Sequence, residues 1–190
     1  MTSNNEIIIL PEDKIVHQGK FLSQVVRSYR GTDGELKKYE MSVRNNVGGI
    51  VSGLPVTKDG SFLINQQFRI PLGRKVYENT AGLVDIGETK EEAMLRELLE
   101  ETGYSATQLH YVGQVPTSSG LTNEIVDCFI ILGAEKTGEP QTEASESIET
   151  IIIREEDMDN WFMEEMQAGN LIDPKVTMLV SYYRRWIKSI

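Results

Sequence analysis

Cysteine and histidine are scarce in this chain of 190 residues, which contains one cysteine and two histidines. A single cysteine excludes an intramolecular disulfide, and the position of Cys128 within the apolar run Ile125 to Leu132 predicts a buried, unreactive thiol. His17 and His110 have no partner at the spacing of a metal site. His110 is therefore predicted to be a packed or surface residue rather than a base.

Long apolar runs and an excess of positive charge are also lacking. No run is long enough to span a membrane, and the chain does not start with a signal-peptide pattern. We therefore expect a cytoplasmic protein, which the use of cysteine also fits. The 29 acidic residues outnumber the 19 Lys and Arg residues, which gives a formal net charge of −10. This charge argues against binding to nucleic acid or to an anionic membrane surface.

The stretch from Gly82 to Tyr104 carries the clearest helix signal. Thr89 followed by Glu92 is a capping box, which predicts a helix from about Lys90. Gly103 suits the position after the last helical turn. The predicted apolar face consists of four residues at helical spacing: Met94, Leu95, Leu98 and Leu99.

Three glutamates lie on a different side of this helix, at positions i, i+3 and i+4: Glu97, Glu100 and Glu101. Like charges at this spacing disfavour a helix by a few tenths of a kcal/mol per pair. Two explanations remain open at this point, namely a solvated acidic face and a site for a divalent cation. Carboxylate oxygens suit Mg²⁺, which proteins often bind together with waters and substrate phosphates.

Residues around the helix form the pattern G-x5-E-x7-R-E-apolar-x-E-E-x-G-apolar, with the fixed positions Gly82, Glu88, Arg96, Glu97, Glu100, Glu101 and Gly103. This segment resembles the signature of the Nudix hydrolases at every position. The resemblance implies a loop–helix–loop that binds a divalent metal and cleaves a nucleoside diphosphate linked to another group. It also implies an α/β fold, a Nudix α/β/α sandwich with a mixed β-sheet between helices.

The resemblance assigns the metal ligands position by position. Glu97, Glu100 and Glu101 are the implied carboxylate ligands of Mg²⁺, with Mn²⁺ as the alternative ion, and the carbonyl of Ala81 is a further ligand. Glu100 is also counted among the catalytic residues. Arg96 is expected to orient the glutamates by ion pairing.

Outside this box, the chain resembles the branch that hydrolyses ADP-ribose and nucleoside diphosphate sugars. Residues 66–69 look like the strand-end segment in which an arginine contacts the diphosphate, so Arg69 is a predicted substrate-binding residue. Glu78 matches a glutamate that commonly precedes the Ala-Gly pair of the family. Three aromatic residues are candidates for stacking on the nucleobase: Tyr29, Phe68 and Tyr77.

A second segment of the branch is matched with one departure. Residues 118–124 resemble its Ser-Pro-Gly-x-Thr-x-Glu loop, but Ser119 stands where ADP-ribose hydrolases usually have proline. Residues 81–85 also look like sugar-nucleotide hydrolases that act on UDP-glucose or GDP-mannose. The nucleoside and the sugar therefore stay open.

The general base must come from another part of the chain, because metal-bound carboxylates have lowered pKa values and are poor bases. The branch takes its base from a loop after the central strands. The corresponding region, residues 133–147, is polar and is predicted to be a mobile loop. Glu146 best fits the family's spacing, and Glu143 is the second candidate.

Two domains are predicted from this order of elements. Residues 1–44 indicate a small antiparallel β unit, with Lys14 to Arg30 and Glu35 to Val43 as strands on either side of the turn 31–34. This unit has too little core to stand alone. Residues 45–190 form the predicted Nudix domain. The resemblance suggests a homodimer in which the β unit reaches the other subunit.

The predicted function is Mg²⁺-dependent hydrolysis of a nucleoside diphosphate sugar, ADP-ribose included, to a nucleoside monophosphate and a sugar phosphate. One alternative is a hydrolase of nucleoside triphosphates or dinucleoside polyphosphates, against which the long N-terminal extension argues. The other alternative is a non-catalytic Nudix module that senses a ligand. Such modules tend to lose the glutamates of the box, and all of these are present here.

Overall fold

The computed structural model describes residues 6–142 and 147–189. The chain forms two compact units. The first unit contains the chain up to Val47 together with Pro116–Ile125, and the second contains Gly48–Val115 and the residues from Val126 onward.

The first unit contains a small antiparallel sheet, as predicted. Its strands within the described ranges are β1 (Ile8–Gln18), β2 (Leu22–Arg30) and β3 (Leu36–Arg44), in the order β1-β2-β3. The single strand predicted from Lys14 to Arg30 is wrong, because a turn divides it where the N–H of Gly19 donates to the carbonyl of Leu22 at 2.8 Å. The predicted turn at 31–34 joins β2 to β3.

Nine strands in the described part of the chain form a second sheet, which is mixed. The same part of the chain contains three α-helices. The strands are β4 (Gly49–Thr57), β5 (Phe62–Arg69), β6 (Arg74–Glu78), β7 (Thr80–Val84), β8 (Tyr104–Ser105), β9 (Gln108–Pro116), β10 (Ile125–Lys136), β11 (Ile148–Ile153) and β12 (Leu171–Ile172). The helices are α1 (Lys90–Thr102), α2 (Met158–Gln167) and α3 (Pro174–Trp186).

The order of the main path through this sheet is β12-β6-β5-β4-β10-β8. Strand β4 runs parallel to β10 and antiparallel to β5 and β7, so the sheet is mixed as predicted. Strand β11 pairs with β5 on the far side from β6, which makes β5 an internal strand over residues 65–67. The side chains of β5 alternate between the two faces of the sheet.

Helices cover both faces of the sheet. Strand β10 shows this directly, because Phe129 and Ile131 pack with α1 whereas Cys128 and Ile130 pack with α3. On the face that α1 covers, the buried apolar residues of the helix are Ala93, Met94 and Leu98. On the face that α3 covers, they are Val176, Leu179 and Val180. The predicted α/β/α sandwich is therefore confirmed. Burial raises the pKa of the Cys128 thiol to about 11.

Two details of the second unit differ from prediction. Met94 and Leu98 are buried as predicted, but Leu99 is 42% exposed, and the buried apolar face of α1 is centred on Ala93, Met94 and Leu98. The region from Gly133 is not a loop at its start, because β10 continues to Lys136 and pairs with β8. After this strand, the N–H groups of Thr137 and Gly138 both donate to the carbonyl of Gly103 at 3.0 Å.

None of the helices in the described ranges has the length and apolar character needed to cross a membrane.

Candidate active site

Helix α1 is defined at both ends by local hydrogen bonds. The backbone N–H of Glu92 donates to Thr89 Oγ1 at 3.2 Å, and the N–H of Thr89 donates to Glu92 Oε2 at 2.9 Å. Gly103 has φ 71° and closes the last turn with a bond to the carbonyl of Leu99. The predicted helix start at Lys90 and the predicted role of Gly103 are both confirmed.

Arg96 is the centre of an ion-pair network on the exposed side of α1. Its Nε and Nη2 atoms donate to the two carboxylate oxygens of Glu88, each at 2.9 Å. Its Nη1 atom donates to Glu97 Oε1 at 2.7 Å and to Glu100 Oε2 at 3.0 Å, and Nη2 also reaches the carbonyl of Leu83. The bonds from Arg96 lower the pKa of Glu88, and Glu88 in turn raises the pKa of Arg96. One guanidinium thus binds three carboxylates.

Strand β7 passes so close to α1 that a side chain at position 82 would collide with Glu97. A Cβ atom at this position would lie 1.9 Å from Cδ and 2.0 Å from Oε1 of Glu97. These distances are far below van der Waals contact, so any other residue would displace the Glu97 carboxylate. The glycine that opens the sequence motif therefore makes room for the first glutamate of the helix.

Glu101 is held from the opposite side, by the sheet. The residue is only 6% exposed, and its Oε2 atom accepts hydrogen bonds from Asn65 Nδ2 at 2.9 Å and from the N–H of Ala81 at 3.2 Å. The sequence predicted the Ala81 carbonyl as a metal ligand. The structure brings Ala81 to Glu101 through its N–H group.

Arg69 and Glu78 form a pair on the same face of the sheet. Arg69 Nε lies 3.0 Å and 2.9 Å from the two oxygens of Glu78, and Nη2 forms a further bond to the same carboxylate. Burial lowers the pKa of Arg69, but the bonds to Glu78 and the charges of Glu78 and Glu101 outweigh it, and the pKa is raised. The structure therefore brings together Arg69, Glu78 and Glu101. Phe68, 42% exposed, alternates to the other face of β5.

The remaining predicted site residues are Ser119, Glu143 and Glu146. Ser119 is an exposed residue of the first unit, inside a turn that the N–H of Leu121 closes onto the carbonyl of Ser118 at 2.9 Å. The same segment is fixed to β3 by the N–H of Ser42, which donates to the carbonyl of Leu121 at 2.9 Å. Glu143 and Glu146, the candidate bases, lie outside the described residues.

The donor set of α1 fits a hard divalent cation in chemical kind. It consists of carboxylates on adjacent turns of one helix, and because Gly82 has no side chain, the Glu97 carboxylate can lie against β7. Within residues 6–142 and 147–189, however, no three His, Cys, Asp or Glu side chains converge as a ready metal cluster. The positive group that Glu97 and Glu100 share here is the guanidinium of Arg96, and Glu101 is turned to Asn65.

Asp127 is a buried charge that sequence reasoning did not single out. Its Oδ1 atom accepts bonds from the Tyr111 hydroxyl at 2.8 Å and from Gln114 Nε2 at 3.1 Å, and Lys90 Nζ lies 2.8 Å from Oδ2. Burial raises the pKa of Asp127, but these three partners outweigh it, and the pKa is lowered. Because Lys90 is the first residue of α1, this network joins the start of the helix to β10. An acidic residue inside the apolar run 125–132 was the available signal.

Three features together define a hydrolase fold of the Nudix class. They are the capped acidic helix α1, the glycine of β7 that packs against the first glutamate of that helix, and the mixed sheet between helices. The family model of the NUDIX domain matches residues 49–173. The chain belongs to the Nudix family and is a Nudix hydrolase.

Curated relatives cover most of the chain. It is 31% identical over 174 residues to the ADP-ribose pyrophosphatase of Bacillus subtilis, which covers 90% of this chain and 92% of the relative. It is 26% identical over 183 residues to the GDP-mannose pyrophosphatase of Escherichia coli, with 92% and 94% coverage. A crystal structure of an ADP compounds hydrolase shares the fold with a TM-score of 0.77 at 16% identity, and covers 100% of this chain and 98% of that one.

Proposed function

We propose that this chain hydrolyses the diphosphate linkage of a nucleoside diphosphate sugar, ADP-ribose included, to a nucleoside monophosphate and a sugar phosphate. The observation that carries the proposal is the position of the Arg69–Glu78 pair on the face of the sheet that α1 covers, where Glu78 lies opposite Asn65 and Asn65 donates to Glu101. A row of carboxylates that could hold a cation, beside an arginine whose side chain is 40% exposed, suits a diphosphate. The names of the relatives, which include ADP-ribose and GDP-mannose pyrophosphatases, support the same class.

The proposed reaction adds water across a phosphoanhydride. The water oxygen bonds to one phosphorus atom, the bridging oxygen leaves with the other phosphoryl group, and the water's proton passes to a base. Glu97, Glu100 and Glu101 would hold Mg²⁺, or Mn²⁺ in its place, and the Ala81 carbonyl is the further proposed ligand. A bound cation would supply charge neutralisation and would lower the pKa of the attacking water. Arg69 binds the diphosphate, and Glu78 fixes the plane of its guanidinium. Glu146, and after it Glu143, remain the predicted base.

A substrate panel tests this proposal. Purified protein with Mg²⁺ would be incubated with ADP-ribose, ADP-glucose, UDP-glucose, GDP-mannose, a dinucleoside polyphosphate and nucleoside triphosphates, and the products separated by chromatography. We expect a nucleoside monophosphate and a sugar phosphate from one or more of the sugar nucleotides. Turnover of a triphosphate or a dinucleoside polyphosphate alone would overturn the proposed substrate class. Ligand binding without any turnover would instead indicate a sensing module.

We also propose a homodimer in the cytoplasm, formed through the first unit. The support is the number of exposed apolar side chains on its sheet, which include Ile8, Ile15, Val16 and Leu22. A concentration of such residues on one small sheet is typical of an interaction surface. Light scattering of the full chain is expected to give twice the 21.4 kDa of one chain, and replacing Ile15 and Val16 by lysine should lower that mass to one chain. A single-chain mass for the unmodified protein would contradict the dimer.

A further inference from the structure

A polar side chain occupies a core-facing position of the internal strand β5. Asn65 is 3% exposed, and its neighbours Phe62 and Ile64 belong to the apolar core with α3. Strand alternation therefore directs Asn65 to the face covered by α1. A buried amide costs free energy unless its hydrogen bonds are made, so an apolar residue would be the less expensive choice for stability alone. The position of Asn65 calls for an explanation.

Hydrogen bonds join Asn65 to one strand neighbour and to the active-site helix. In the register of the sheet, Asn65 lies directly opposite Thr150 of β11. The Thr150 hydroxyl donates to Asn65 Oδ1 at 2.8 Å, and Asn65 Nδ2 donates to Glu101 Oε2 at 2.9 Å. These hydrogen bonds thus link β11 through β5 to α1.

The chemistry of the two ends fixes the orientation of the amide. An ionised carboxylate only accepts hydrogen bonds, so the group that faces Glu101 must be the NH₂ of Asn65. The carbonyl oxygen of the amide then faces Thr150, and a hydroxyl at that point can donate to it. Valine at position 150 would keep the shape of the side chain and remove this donor. The hydroxyl therefore favours the amide orientation that Glu101 requires.

We propose that Asn65 and Thr150 are positioning residues that hold the Glu101 carboxylate in place for cation binding. The proposal rests on the function proposed above. Helix α1 would then present its glutamates from two independent supports. Arg96 holds Glu97 and Glu100 from the exposed side, and Asn65 with the N–H of Ala81 holds Glu101 from the sheet. A glutamate has three rotatable side-chain bonds, and fixing them before the cation arrives removes an entropy cost from binding.

The test measures Mn²⁺ binding to the full-length protein without substrate, by the electron paramagnetic resonance signal of free Mn²⁺. The variants are Asn65→Leu, Thr150→Val and Thr150→Ser, with Glu101→Gln as the reference for loss of the ligand itself. Loss of an outer partner of a metal ligand typically costs about 10- to 100-fold in affinity. We expect Asn65→Leu to raise the dissociation constant of Mn²⁺ about tenfold and Thr150→Val to raise it severalfold. Thr150→Ser, which retains the hydroxyl, should stay close to the unmodified protein.

Thermal unfolding without metal shows which variants are folded, and the Thr150 pair keeps the test decisive if Asn65→Leu does not fold. Equal Mn²⁺ affinity in the unmodified protein and Thr150→Val would overturn the positioning role, and so would equal losses in the Val and Ser variants. If the unmodified protein bound no Mn²⁺, the proposed metal site itself would be wrong. If Glu101→Gln lost binding while the Asn65 and Thr150 variants kept it, only the inference about Asn65 and Thr150 would fail.

Discussion

Replacing Glu100 with glutamine is expected to lower kcat about 10³-fold and to leave the fold intact. The change keeps the size of the side chain and an oxygen that can accept from Arg96, but removes the negative charge that a divalent cation needs. Metal-ion catalysis contributes several kcal/mol to transition-state stabilisation, and each 1.4 kcal/mol corresponds to about a tenfold change in rate. Because the Glu100 side chain is 44% exposed, the substitution leaves no buried group without a partner.

The matched control is Glu91→Gln, on the first turn of the same helix. Glu91 is exposed and occupies an unspecified position of the motif, so the same loss of one charge from α1 should leave kcat within about twofold of the unmodified protein. Steady-state kinetics on the best substrate of the panel, with circular dichroism to check the helix, would measure both variants. Full activity in Glu100→Gln would show that the metal is not held by this carboxylate. Equal losses in both variants would indicate a general effect of helix charge.

The parts of the fold that depend on local signals could be predicted from the sequence. The start of α1 follows from the hydrogen bonds between Thr89 and Glu92, and its end follows from a glycine with positive φ. Both involve residues close together in the chain. The division between β1 and β2 is not predicted because mixed alternation continues through Gly19, and the backbone bond to Leu22 that closes the turn has no periodic signal in the sequence. Two-residue strands such as β12 carry too few side chains to show a period.

The candidate site divides in the same way. The glutamates and Arg96 share one helix, so their spacing alone places them together. The residues that hold this helix to the sheet come from distant strands, and their positions depend on register. Asn65 meets Thr150 and Glu101 across separations of 85 and 36 residues. No pattern within one element could indicate such a contact, although a buried polar residue in an apolar strand marks the place to search.

Asp127→Asn is expected to lower the free energy of unfolding by about 2 kcal/mol at pH 7. Hydrogen bonds to a charged group contribute about 1.5–3 kcal/mol, and the amide would direct an NH₂ group at the ammonium of Lys90. Asp127 is 4% exposed, so water cannot readily take the place of these partners. Denaturant unfolding monitored by tryptophan fluorescence would measure the loss. Introducing Lys90→Met into both the unmodified protein and Asp127→Asn completes a double-mutant cycle. Lys90→Met should lower the free energy of unfolding of Asp127→Asn by less than that of the unmodified protein.

The loss of unfolding free energy in Asp127→Asn should also depend on pH, and it should shrink as the pH falls. The pKa of Asp127 is lowered in the folded protein, so the folded state favours the ionised carboxylate more than the unfolded chain does. Its contribution to stability is therefore complete above the ordinary aspartate pKa of about 4, and it is lost as the pH falls through the lowered value. The stability difference between the unmodified protein and Asp127→Asn should be constant from about pH 7 to pH 5 and should shrink below about pH 4. A difference that stayed constant down to pH 3 would show that the charge of Asp127 does not stabilise the fold, and that the start of α1 is held to β10 by shape alone.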